Sequence, residues 1–125
     1  MTTPAERNAT AALRVCESWP ELKLDDWRAL FAPNAVYRNI PMPGDTIGPD
    51  AIYEFLRGPI AVYEVKCDVV SAVGDERRVA VERLEHFSQR DGKRSFDLPV
   101  LGVFEFENGE ITAWRDYFDL KTFTG

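Results

Sequence analysis

Residues 101–120 read LGVFEFENGEITAWRDYFDL. Large apolar side chains alternate with polar ones on both sides of Asn108-Gly109, a dipeptide that tolerates the positive φ of a tight reversal, so the stretch reads as a β-hairpin. Working backwards, strand-like runs occupy residues 62–73 and 78–89, and the first strand of the hairpin begins at 94, with GDER and RDGK as further turns. Four strands in succession make an antiparallel meander.

Upstream of residue 62 the period changes. Thr3-Pro4-Ala5-Glu6 is a helix start with proline in the first turn, and Ala9, Ala12, Leu13, Cys16 and Trp19 form a stripe at helical spacing that ends near Pro20. DDWRALF at 25–31 predicts a second short helix, with acids in its first turn. A strand at 36–39, a Pro/Gly loop at 41–49 and a helix at about 50–57 stopped by Gly58 follow. Helices first and strands afterwards predict an α+β fold, helices covering one face of a curved sheet. With 125 residues, the expectation is one domain, 1–125.

Composition narrows the function classes. A net charge of −6 argues against binding nucleic acid or an anionic membrane surface. Cys16 and Cys67 lie far apart without metal spacing, so they are expected to be reduced, small core residues, and no metal is expected. The opening MTTPAERNATAAL carries no apolar run of signal-peptide length, and no run of about 18 apolar residues occurs, so the expected location is cytoplasmic.

Alternation also sorts side chains by face. Thr112, Trp114, Asp116 and Phe118 share one face of the last strand; Ala113, Arg115, Tyr117 and Asp119 share the other. In VAVERLEHFSQ, residues Val79, Val81, Arg83, Glu85 and Phe87 form one face, apolar at both ends with an Arg-x-Glu pair between, while His86 falls on the opposite face. Ala35, Tyr37 and Asn39 offer a phenol and an amide. Phe96, Leu98 and Val100 make an apolar wall, from which Asp97 alternates away as a solvated residue or a subunit contact. If these faces converge, a mostly apolar pocket carries two carboxylates, a guanidinium, a phenol and an amide at its deep end.

YRNIPMPG, the ERLE strand and LPVLGVFEFENGEITAWRDYFDL, in this order of elements, resemble the limonene-1,2-epoxide hydrolase family of the nuclear transport factor 2-like and SnoaL-like superfamily. The resemblance spans roughly residues 27–123. It implies a cone-shaped, curved mixed sheet enclosing a pocket, a fold shared with ketosteroid isomerase. It also implies cofactor-independent catalysis by an Asp-Arg-Asp triad assisted by a tyrosine and an asparagine. Carried over, Asp116 would activate water, Tyr37 and Asn39 would hold it, and Arg83 would bridge the acids. Where the family has Arg-x-Asp, this chain has Glu85, and a carboxyl displaced by about 1 Å can cost about 100-fold in rate. Phe87, Leu98, Val100, Trp114, Phe118 and Phe123 would line the substrate pocket. The resemblance and the outward positions of Leu101 and Val103 together predict a homodimer.

The residue types suit the chemistry. Opening an unactivated epoxide needs a base for the water and an acid for the developing alkoxide, and two carboxyls divide that work only if their surroundings differ. Blander roles stand beside this one: Asp116 and Arg83, or Arg83 and Glu85, as buried structural pairs, and Tyr37 and Asn39 as a strand end. Arg115 and Asp119 read as a same-face strand feature without catalytic meaning. The expected function is hydrolysis of a small, mostly apolar, cyclic or terpene-like epoxide to a vicinal diol. The alternatives are a ketosteroid-isomerase-like or SnoaL-like isomerase or cyclase, and a non-catalytic ligand-binding module.

Overall fold

A computed structural model of the chain describes residues 1–125. Ten elements follow in order: α1 (Pro4–Ser18), α2 (Leu24–Leu30), β1 (Phe31–Asn39), β2 (Thr46–Ile47), α3 (Pro49–Val62), β3 (Tyr63–Gly74), β4 (Arg78–Gln89), β5 (Ser95–Glu107), β6 (Glu110–Tyr117) and α4 (Leu120–Thr124). The strands form one sheet in the order β2-β1-β6-β5-β4-β3. β3 to β6 are the antiparallel meander, and β1 joins β6 in parallel. The hairpin turn closes with positive φ at both Asn108 and Gly109.

Register shifts between Phe31 and Val36, Val69 and Ser71, and Glu105 and Phe106 interrupt the ladders. Such irregularities bend and twist the strands that carry them. The result is a curved six-stranded sheet with the helices on its inner face, the α+β class expected from the element order.

Helix α1 starts with a capping box: the Thr3 hydroxyl accepts the Glu6 N–H at 3.1 Å, and the Glu6 carboxylate accepts the Thr3 N–H at 3.2 Å. Its buried stripe is Asn8, Ala12, Val15 and Cys16, with Ala9 and Leu13 only half-buried. The helix is rotated from the expected stripe because Asn8 turns inward to donate to the Glu76 carbonyl at 2.8 Å, which satisfies its amide.

The expected stop of α3 at Gly58 is overturned. The helix continues through Gly58 and Pro59 to Val62, and Gly58 does not adopt the left-handed backbone of a C-cap. Half-buried Ile60 extends the apolar stripe of Ile52 and Leu56 against the core, and that contact offsets the poor propensity of Gly58-Pro59. Pro59 has no N–H to donate to the Phe55 carbonyl.

The last strand ends at Tyr117, and Asp119 is no strand residue: its carboxylate accepts the Thr122 N–H at 3.0 Å and caps α4. Arg94 secures that helix, donating to the carbonyls of Thr122 at 2.8 Å and Phe123 at 2.9 Å while its guanidinium lies 4.0 Å from the Phe96 ring centroid. Arg115 pairs with Glu105 across the hairpin rather than with Asp119. No helix is long and apolar enough to cross a membrane.

Candidate active site

Strand alternation places Val79, Val81, Arg83, Glu85 and Phe87 of β4 inside, all buried. A charged pair on such a face survives only with partners. Arg83 is 2% exposed, and its guanidinium serves two acids: Nε donates to Glu85 Oε2 at 3.2 Å, and Nη2 donates to Asp116 Oδ2 at 2.9 Å. Asp116 lies two strands away, on β6, so the guanidinium crosses β5 between them.

That crossing passes over Gly102, which pairs with both Val81 and Asp116. A methyl at residue 102 would come 2.7 Å from Arg83 Nη1 and 3.0 Å from Asp116 Oδ1. Glycine is required here for close approach, not for a turn.

Each carboxyl has one indole donor. Trp114 Nε1 donates to Asp116 Oδ1 at 2.8 Å, and Trp19 Nε1, from the C-terminal end of α1, donates to Glu85 Oε2 at 2.8 Å. The Trp114 ring is fixed by its neighbours: Tyr37 at 4.2 Å, Phe104 at 5.4 Å and Trp27 at 6.2 Å between ring centroids. Asp116 therefore accepts through both oxygens, whereas Glu85 accepts two donors on Oε2 and none on Oε1.

The parallel pairing of β1 with β6 sets Tyr37 beside Trp114 and Asn39 beside Asp116. The Tyr37 hydroxyl donates to Asn39 Oδ1 at 2.9 Å, which leaves the amide N–H groups of Asn39 and the oxygen lone pairs of the phenol for another partner.

Electrostatics separates the groups. Burial raises the proton affinity of Glu85 above the ordinary carboxylic range; Arg83 opposes and Asp116 reinforces the rise. Burial works against the Arg83 charge, but Asp116 and Glu85 outweigh it and hold the guanidinium firmly protonated. Burial, then the charges of Asp116 and Glu85, push the Tyr37 phenol well up, so it stays neutral. Burial also pushes the thiols of Cys16 and Cys67 up, Cys67 to about 12, which makes neither a nucleophile at neutral pH.

These groups face a cavity of about 290 Å³. Tyr37, Asn39, Glu85 and Asp116 reach its surface, and Arg83 lies behind the acids. Phe87, Leu98, Val100, Trp114, Phe118 and Phe123 all line it. Trp19, Met42, Phe55, Leu56 and Pro59 line it too and were not legible as pocket residues, because helix α1, the 41–49 loop and α3 reach the cavity only through tertiary packing. A proline-glycine loop followed by an apolar helix stripe was the available signal for Met42, Phe55 and Leu56. His86 lies on the opposite face, between Asp97 at 2.7 Å and Asp68 at 2.8 Å. No group of three or more His, Cys, Asp or Glu side chains is arranged to hold a metal ion.

A curved sheet closed by helices around a pocket of this kind defines the nuclear transport factor 2-like class. The profile of the SnoaL-like domain matches residues 12–114, and the chain belongs to that family. Among solved structures it is similar to an LEH-like epoxide hydrolase from M. tuberculosis (24% identity, TM-score 0.81, covering 98% of this chain and 85% of that one). It is also similar to a protein from Jannaschia sp. provisionally assigned as a SnoaL-like polyketide cyclase (17% identity, TM-score 0.87, 99% and 93% covered). A third is a protein of ketosteroid isomerase-like fold from Catenulispora acidiphila in complex with trimethylamine (18% identity, TM-score 0.79, 90% and 87% covered). Identities this low establish the shared fold, whose members include an epoxide hydrolase.

Proposed function

We propose that the chain hydrolyses a small, mostly apolar epoxide to a vicinal diol without a cofactor, by direct attack of water. The observation that carries this reading is one guanidinium joining two carboxyls of unlike surroundings at the polar end of an apolar cavity. Water would donate one hydrogen to Asp116 and one to the phenol oxygen of Tyr37, and accept from the Asn39 amide, which leaves one lone pair for the epoxide carbon. As the new C–O bond forms, the ring C–O bond breaks, Asp116 takes the proton of the water and Glu85 delivers its own to the ring oxygen. A proton then returns from Asp116 to Glu85 through solvent, and both acids are reset.

An isomerase or cyclase would use the same base and acid to move a proton on carbon. Diol from a panel of cycloalkene, terpene and styrene-type epoxides is the expected result; deuterium exchange into ketones with no diol would favour the isomerase, and binding without turnover a ligand carrier. The half-buried Val103 and exposed Leu101 and Tyr117 on the outer face support a homodimer, checked by sedimentation.

A further inference from the structure

The two acids are hydrogen-bonded differently, and the difference lies in one indole 66 residues away in sequence. Oε2 of Glu85 accepts both Trp19 Nε1 and Arg83 Nε, which occupies both of its lone pairs. Oε1 has no protein partner, and Glu85 is a wall residue of the cavity. A proton on a neutral Glu85 is thereby confined to Oε1.

We infer that Trp19 and Glu85 are a matched pair, in which the indole fixes the acid proton on the free oxygen and makes the longer glutamate usable as the acid. Trp19 is the positioning residue, acting through Glu85. The match depends on reach. An aspartate at 85 would withdraw its carboxyl by about 1.5 Å, one carbon–carbon bond, which carries the 2.8 Å Trp19 contact past the limit of a hydrogen bond. The fold explains why an indole can stand there: Trp19 is the C-cap of α1, packed against β4 and 5% exposed, with its backbone N–H held by Val15. The unusual acid and the indole at the helix end thus answer each other.

This inference rests on the hydrolase reading for its rate consequences but not for its proton chemistry, so the test has two arms. In the first, carbon-13 NMR of labelled glutamate, with Glu85→Gln to assign the signal, follows the titration of Glu85 in the wild type and in Trp19→Phe, which keeps an aromatic ring but no donor. Loss of a donor to the charged form must move the Glu85 midpoint to higher pH. In the second, diol formation is measured against pH. Trp19→Phe is expected to move the basic limb of kcat/KM to higher pH and to lower its plateau about 10-fold, the loss of one hydrogen bond to a charged group. On a Glu85→Asp background the same Trp19→Phe change should cost little, because the shorter acid does not reach the indole.

An unchanged Glu85 midpoint in folded Trp19→Phe protein, or an equal 10-fold loss on the aspartate background, would overturn the pairing. If no epoxide is hydrolysed yet the Glu85 midpoint rises, the hydrolase reading fails and the pairing stands.

Discussion

Residues 83 and 86 of one strand each set a basic side chain between two carboxyl groups, and they face opposite sides of the sheet. Inside, Arg83 lies between Glu85 and Asp116, buried with all its partners. Outside, His86 lies between Asp97 and Asp68, whose side chains are 62% and 78% exposed. The make-up of one base and two acids is the same, and the chemistry available is not. Water screens the outer cluster, leaving it worth little to stability and unable to hold an acid protonated. Burial makes the inner cluster costly to break, and it separates the two carboxyls by hydrogen bonding and desolvation. The face of the strand, not the set of residues, sets the environment on which the proposed reactivity depends.

Variants of the two clusters measure that contrast, beginning with the largest effect. Arg83→Met removes the cation and leaves two buried acids without it; a loss of about 3–5 kcal/mol in chemical denaturation is expected. A wild-type midpoint would show that the inner cluster is as weak as the outer one. Asp116→Asn keeps the shape and the indole contact but cannot take a proton, so diol formation should fall at least about 100-fold with the fold retained by circular dichroism. Near-normal turnover would end the role of Asp116 as base.

Gly102→Ala pushes a methyl into Arg83 Nη1 and Asp116 Oδ1 while leaving every charge in place. Overpacking of this kind costs about 1–3 kcal/mol, and a calorimetric scan unchanged from wild type would mean that the guanidinium relaxes freely. The smallest effect belongs to the outer cluster. Hydrogen bonds donated first to Asp97 and then to Asp68 raise the His86 pKa above its ordinary value. The stabilisation is therefore complete below the unfolded histidine pKa and disappears as pH rises through the higher folded value. His86→Gln should abolish that slope in a pH series of denaturation midpoints and leave diol formation untouched; a fall in turnover would join the two faces functionally.

Much of this arrangement was readable from period-two alternation. The face of β4 and that of β6 from Trp114 to Asp116 followed from residue spacing, whereas the register shift turns Ile111 inward in place of Thr112; a strand carrying charge between apolar ends has few alternatives to an internal ion pair. The meander was equally legible, since its turns carry their own chemistry in GDER, RDGK and ENGE. Contacts between distant segments were not. Trp19 looked like one more apolar position of a helix, and only tertiary packing brings its N–H to Glu85. Gly102 carries no signal in the sequence, because the space it leaves matters only once Arg83 crosses it. Helix α3 passes its apparent stop because Ile60 still packs on the core, and α4 has no counterpart in the sequence reading although Asp119 and Thr122 carry a capping signal. The roles of Asp116 and Glu85 in a reaction are proposals that the variants above test.

Pro59 gives the pocket two walls of unequal stiffness. The proposed acid and base stand on a sheet whose strands are bonded to neighbours along their length, while Phe55, Leu56 and Pro59 come from a helix lacking one rung of its ladder at that turn. A helix weakened at one rung is the side expected to flex first, so under the proposed function substrates of different girth would be accommodated by yielding on the helical side while the acid and the base keep their positions.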